Sequence, residues 1–167
     1  MTTPATVDES LITAEGYELL SAELETLRSD GRRELGERLH QARQDGHLGD
    51  NWALIDAFEE NAQLEARIAT LERQLAAARI APPTRDGRAG VGSSVRVRHL
   101  DDDRVVDYEL VGAIDPCIGD GRVSVMAPVG QALVGRRAGA LVAVSAPRGV
   151  LPLEILSVRS SRLRQAA

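Results

Sequence analysis

Three titratable side chains, Asp45, His47 and Asp50, fall within six residues of one another in Gln44-Asp45-Gly46-His47-Leu48-Gly49-Asp50-Asn51-Trp52. Two carboxylates and an imidazole there occupy a short polar break. Gly46, Gly49 and Asn51 suit a chain reversal. If the flanking runs are helices, these charges stand at the end of an arm and can be carried where the rest of the protein cannot go. Asp50 also has a structural reading, as an acid at a helix N-terminus, where the dipole favours a carboxylate. Asn51 reads equally as the cap of that helix. The other groups with chemistry are plainer. Asp101-Asp102-Asp103 reads as a solvated hairpin turn rather than a metal site. Cys117 is a lone loop thiol with no catalytic partner in view, and His99 reads as an ordinary strand residue.

The runs on either side must position the cluster. Leu20, Leu24, Leu27, Leu35, Leu39 and Ala42 form a one-sided helical stripe, with Gly31 in the place the stripe skips. Thr13 is the expected N-cap, with Glu15 in the first turn. After the break, Leu64, Ile68, Leu71, Leu75 and Ala78 recur at heptad spacing. Two matched runs of about 30 residues predict an antiparallel helical hairpin with arms of about 45 Å. An intermolecular coiled coil is the alternative. Trp52 and Phe58 are expected to lock the tip by packing on Leu39 and Leu48, with contact with a partner as the alternative, and Pro82-Pro83 is expected to end the second helix. The arm is drawn as 10–81 with its tip at 44–52. A Pro/Gly/Ser-rich linker follows at 82–93, and residues 1–9 and 159–167 are expected to be flexible tails.

Residues 94–158 read as a compact β-rich domain. Ser94 to His99 alternates as a half-buried strand, and Val105 to Gly112 reads as its hairpin partner. Arg122 to Met126, Leu141 to Ser145 and Val150 to Val158 are further strands. Pro128 to Gly135 opens on a helix-start proline and ends on glycine, as a short helix does. The fold class is α+β, an N-terminal antiparallel α-helical coiled-coil hairpin plus a C-terminal β-rich domain.

Composition narrows the function. Net charge is -5, so wrapping a bare duplex is disfavoured. Residues 1–80 hold 16 acids and 8 arginines, residues 81–167 hold 9 acids and 12 arginines, and lysine is absent. That asymmetry suits two modules with different contacts. Aromatics are 2% of the chain, too few for a single-strand stacking platform. One cysteine excludes an intramolecular disulfide. No signal peptide or membrane-length apolar run stands out, so the expected location is the cytoplasm.

Three segments together resemble the Gre factors, bacterial transcript-cleavage factors acting on RNA polymerase. Ala42-Arg43-Gln44-Asp45-Gly46-His47-Leu48-Gly49-Asp50-Asn51 is similar to the family's A-R-x-x-G-D-L-x-E-N. Val125-Met126-Ala127-Pro128-Val129-Gly130-Gln131-Ala132-Leu133-Val134-Gly135 is similar to its V-x-S-P-x-x-x-A-L-x-G. Ala146-Pro147-Arg148-Gly149 resembles its T-P-x-G turn. Each is weak alone, but three in order across residues 10–158 are specific. The resemblance implies an FKBP-like C-terminal domain that docks on core RNA polymerase through Ala127, Pro128, Val129, Gly130, Ala132, Leu133 and Gly135. It implies a hairpin tip, Asp45, His47, Asp50 and Asn51, that enters the secondary channel towards the polymerase active site. It also implies a Mg²⁺ shared with the polymerase through tip acids, rather than a cofactor of the chain's own. DNA and nascent RNA would be met only indirectly, by a monomer without its own active site. Isomerase activity does not follow from the FKBP-like fold.

The chain departs from the family at the tip. The first tip acid falls on His47, and imidazole is a poor Mg²⁺ ligand. The second falls on Asp50, one methylene shorter than glutamate. The family's Gly-Asp after the short helix is Gly139-Ala140, and its serine before proline is Ala127. Three readings stay open. The chain inhibits or regulates elongation from the channel, with cleavage weak or lost. Alternatively, it is a cleavage and anti-arrest factor using Asp45 with Asp50. In the third reading it is a structural helical-hairpin protein that never enters the polymerase.

Overall fold

The computed structural model describes residues 8–44, 52–84, 86–116, 118–146 and 149–160. They form two compact units, one from Glu18 to Ala77 and one from the chain up to Tyr17 with the chain from Ala78 on. The elements in order are β1 (Leu11–Ile12), α1 (Ala14–Thr26), a π-helical turn (Leu27–Gly31), α2 (Arg32–Gln44), α3 (Trp52–Ala77), β2 (Arg79–Ile80), β3 (Ser93–His99), β4 (Val105–Val111), β5 (Arg122–Ser124), α4 (Pro128–Leu133), β6 (Leu141–Ala146) and β7 (Gly149–Ser160). The class is α+β, a helical hairpin and a curled mixed sheet.

In the β-rich unit the strand order is β5-β4-β3-β7-β6, with β4 and β5 parallel and the other pairs antiparallel. The alternation in β3 decides its faces. Ser93, Val95, Val97 and His99 are buried, while Arg96 points to solvent. A bulge between Arg96 and Val97 shifts the register with β7. Val95, Val97, Leu110, Leu133, Leu153 and Ile155 close the core, each burial worth about 1.5–3 kcal/mol. The solvent side of the sheet carries the pairs Arg96–Asp107 and Arg98–Glu154. The Arg96 guanidinium holds the Asp107 carboxyl below its ordinary range, chiefly through their hydrogen bond. Asp101 to Asp103 is the exposed β3–β4 turn, where the Arg104 backbone N–H donates to the Asp102 carboxylate and Asp103 takes φ 56°.

Several expectations change here. The stretch 82–93 is not a free linker, because Ala89 and Val91 enter the core. Ala89 exchanges backbone hydrogen bonds with Arg136 and Gly135 at 2.7 Å each. Small apolar residues among glycines have no period, which is why this stretch reads as a linker. β7 runs to Ser160, which pairs with Ser93, so Arg159 and Ser160 belong to the sheet rather than a tail. α3 stops at Ala77, ahead of Pro82-Pro83, because Arg79 and Ile80 pair in parallel with Leu11 and Ile12. That small pair is held by N–H bonds from Arg79 to the Ser10 carbonyl (2.8 Å) and from Ala81 to the Ile12 carbonyl (2.9 Å). Ile12 is fully buried.

Candidate functional site

Asp45, His47, Asp50 and Asn51 lie outside the described residues, as does Cys117. What is described is the arm that carries the tip. α2 ends at Gln44 and α3 starts at Trp52, so the tip segment joins them directly. α3 has 26 residues, about 39 Å of helix at 1.5 Å per residue. Its inner line is Leu54, Ala57, Asn61, Leu64, Ile68, Leu71 and Leu75, at steps of three and four, with Ile68 and Leu71 wholly inside. Across from it Leu20, Leu24, Leu35 and Ala42 are buried.

The step from Leu27 to Leu35 is one residue longer than a heptad. The π-helical turn Leu27–Gly31 absorbs that residue, because an i→i+5 turn holds one more than an α-turn. Gly31 ends it against the partner helix, where a Cβ would sit 3.1 Å from Leu64 Cδ1. Deleting exposed Ser29 is therefore expected to convert this turn to α-helix and keep Leu24 and Leu35 in phase. Its melting temperature by circular dichroism should stay within about 4 °C of the parent. Deleting Glu37 instead turns Leu39 and Ala42 by about 100° relative to Leu35 and should melt the hairpin well below the parent.

Arginine–glutamate pairs run across the arm. Arg28 meets Glu72 at 2.7 Å, Arg32 grips both oxygens of Glu65 at 2.9 and 2.8 Å, and Arg67 meets Glu23 at 2.6 Å. Arg38 meets Glu60 nearer the tip. Along α2 the partner's number falls as the arginine's rises, as antiparallel helices require. The hydrogen bond from Arg32 lowers the Glu65 carboxyl and raises the guanidinium. Exposed pairs add little stability each, but a slipped register would break them together. Next to the tip, His40 and Gln44 are in side-chain contact at 2.8 Å.

Trp52 and Phe58 do not lock the arm from inside. Trp52 is 74% exposed, Ile55 49% and Phe58 51%. They stand off the inner line, which Leu54 and Ala57 already occupy, so the helical phase turns them outward.

The second group of candidate residues is α4 and its flanks. Ala127 precedes the helix in an extended conformation (φ -70°, ψ 154°) and Pro128 starts it. Leu133 is fully buried and Gly130 is buried too, packed beneath the surface of α4. Pro128 is exposed, whereas Ala127, Val129, Ala132 and Gly135 are half-buried. Gly135, at φ 76°, ends the helix with its N–H on the Ala89 carbonyl. A Cβ on Gly130 would sit 2.1 Å from the Ser124 carbonyl oxygen. Gly130→Ala should therefore push α4 off β5 and cost about 2 kcal/mol in urea unfolding.

One residue with a structural role escaped the sequence reading. Asp115 is 5% exposed, and its carboxylate accepts the backbone N–H of Thr13 (3.1 Å) and of Gly112 (2.6 Å) together with the Thr13 hydroxyl. Thr13 Oγ1 in turn accepts the Gly16 N–H at 3.0 Å, confirming its place as the cap of α1. Glycine is needed twice around this carboxylate. A Cβ on Gly16 would fall 1.8 Å from Asp115 Oδ1, and one on Gly112 2.0 Å from the Leu11 carbonyl oxygen. The only local hint was an acid before a proline in a loop. Arg122 adds a second tie, reaching Glu15 at 2.8 Å and Glu109 at 3.1 Å.

Among the described residues, no group of three or more His, Cys, Asp or Glu comes together as a metal site, and no helix is long and apolar enough to cross a membrane. Comparison with known proteins gives a consistent result. Residues 10–80 match the N-terminal domain family of transcription elongation factors GreA and GreB, and residues 84–160 match the C-terminal one. Transcription elongation factor GreA of Chlorobaculum parvum is 39% identical over 154 residues, covering 90% of this chain and 97% of its own. GreA of Clostridioides difficile is 39% identical over 153 residues, covering 90% and 96%. Among solved structures, GreA factor homolog 1 (Gfh1) of Thermus thermophilus is 27% identical with a TM-score of 0.41, covering 91% of this chain and 99% of its own. Two domain families matched in order over nearly the whole length, with relatives well above 30% identity, place this chain in the GreA/GreB family of transcription elongation factors.

Proposed function

We propose that this chain binds core RNA polymerase, inserts the end of its helical arm into the secondary channel and restrains elongation, with transcript cleavage weak or lost. The observation that carries the reading is His47. It stands where the family's first tip acid falls, in a segment that joins the ends of two paired helices. Family membership supports the polymerase as partner, and the paired arm supports the means of delivery.

The donor set does not fit the family's metal pair. His47 offers an imidazole nitrogen where Mg²⁺ prefers hard oxygen, and Asp50 offers a shorter carboxylate than glutamate. No metal-dependent step is therefore assigned to this chain. In this reading the arm acts by occupying the route that nucleotides take, so its effect competes with nucleotide concentration. The protein then needs no active site of its own. It would work as a monomer in the cytoplasm, meeting DNA and nascent RNA only through the polymerase.

Halted, backtracked polymerase complexes test this directly. The expected result is slowed elongation that is relieved by more nucleotide, with little shortening of the transcript. Vigorous shortening at substoichiometric protein would overturn the reading in favour of an anti-arrest factor using Asp45 with Asp50. Failure to co-purify with core polymerase would overturn it in favour of a structural hairpin protein.

A further inference from the structure

We infer that Trp52, Ile55 and Phe58 form a docking face for an apolar, basic-rimmed protein surface of RNA polymerase beside the place that receives the tip. The inference rests on the function proposed above and names a contact that the tip acids do not supply. The three side chains follow one another at steps of three along the first two turns of α3, and each is about half or more exposed. They lie outside the inner line of Leu54, Ala57 and Leu64, so hairpin packing does not account for their being apolar. An exposed apolar cluster of a few hundred Å² rimmed by charge is often a functional contact surface.

Size and charge select the occupant. At 150–250 Å² for each aromatic, scaled by the exposures above, the face offers roughly 300–400 Å². A stable interface takes about 800 Å² per partner. The face is therefore too small to hold a second copy by itself, and fits an addition to a contact made elsewhere on the same arm. Trp52 directly follows the tip segment in the chain, which makes that contact the tip's own. Exposed Asp56 and Glu59 flank the face, and residues 18–77 hold 13 acids against 7 arginines. A second copy would bring the same acids, and a nucleic acid would bring phosphates, so both are repelled. A protein surface with basic side chains around an apolar patch is attracted.

The test uses the full-length protein and core RNA polymerase of the same organism. Trp52 is the only tryptophan, so 5-fluorotryptophan labels this one position. On adding polymerase, its ¹⁹F resonance should broaden and shift and become protected from a soluble paramagnetic quencher. Trp52→Ser with Ile55→Ser and Phe58→Ser should weaken polymerase binding about tenfold or more, with the circular dichroism spectrum unchanged. If the parent binds while the label stays accessible and the triple variant binds equally well, the inference fails and the proposed function stands. If the parent does not bind polymerase, both fail. Sedimentation showing dimers of the parent that the triple variant abolishes would also overturn it, since the occupant would then be a second copy.

Discussion

Asp115→Ala is expected to destabilise the β-rich unit by about 3–4 kcal/mol, more than any other single change considered. The carboxylate serves three donors at once, the N–H groups of Thr13 and Gly112 and the Thr13 hydroxyl. Hydrogen bonds to a charged group contribute about 1.5–3 kcal/mol each, and a buried donor left unpaired costs about 1–3 kcal/mol. Water cannot readily replace the lost oxygens, because Gly112 is buried and Gly16 packs against the carboxylate. The loss corresponds to a melting temperature about 10 °C lower for a chain of this size. Amide hydrogen exchange reports the local event, with Gly112 and Thr13 losing protection first. Thr13→Val should cost about 1 kcal/mol, in the range of a lost N-cap. Combined with Asp115→Ala it should add less than that, since both remove the same contact. A strictly additive pair would show that Asp115 and Thr13 stabilise the fold independently.

His47→Asp with Asp50→Glu is expected to raise transcript cleavage on backtracked polymerase at least about tenfold, equivalent to about 1.4 kcal/mol of barrier. The double change restores at both positions the acids that the family carries there. The single change His47→Asp should give part of the gain, because it restores an oxygen donor but leaves the second acid one methylene short. On the proposed function, inhibition of elongation should persist in both variants, since channel occupation would depend on the arm and not on the tip acids. Cleavage that stays at background in the double variant would locate the defect outside the tip, with Ala127 and Ala140 the next positions to restore. The readout is the fraction of RNA shortened per minute at fixed protein and Mg²⁺.

Much of the architecture was legible because it repeats locally. The stripes Leu20 to Ala42 and Leu64 to Leu75 announce two helices, and the alternation from Val95 to His99 announces a strand. Thr13 was readable as a cap because its partner, Gly16, is three residues away. The tip cluster was readable for the same reason, with its acids, imidazole and glycines adjacent in the chain. Its meaning came from likeness to a family rather than from geometry.

What the sequence determined by itself was the two-module plan, the hairpin, the short helix after Ala127 and the residue types offered at the tip. The tertiary structure alone decided which of these residues face outward and which are buried. It turned Trp52, Ile55 and Phe58 outward, took Gly130 and Leu133 inward, and drew Ala89 and Val91 from an apparent linker into the core. It also set Asp115 on Thr13, 102 positions apart. The physical reason is the range of the signal. A helix or strand writes its period into neighbouring residues, whereas a buried carboxylate and its donors meet only after the chain has closed between them.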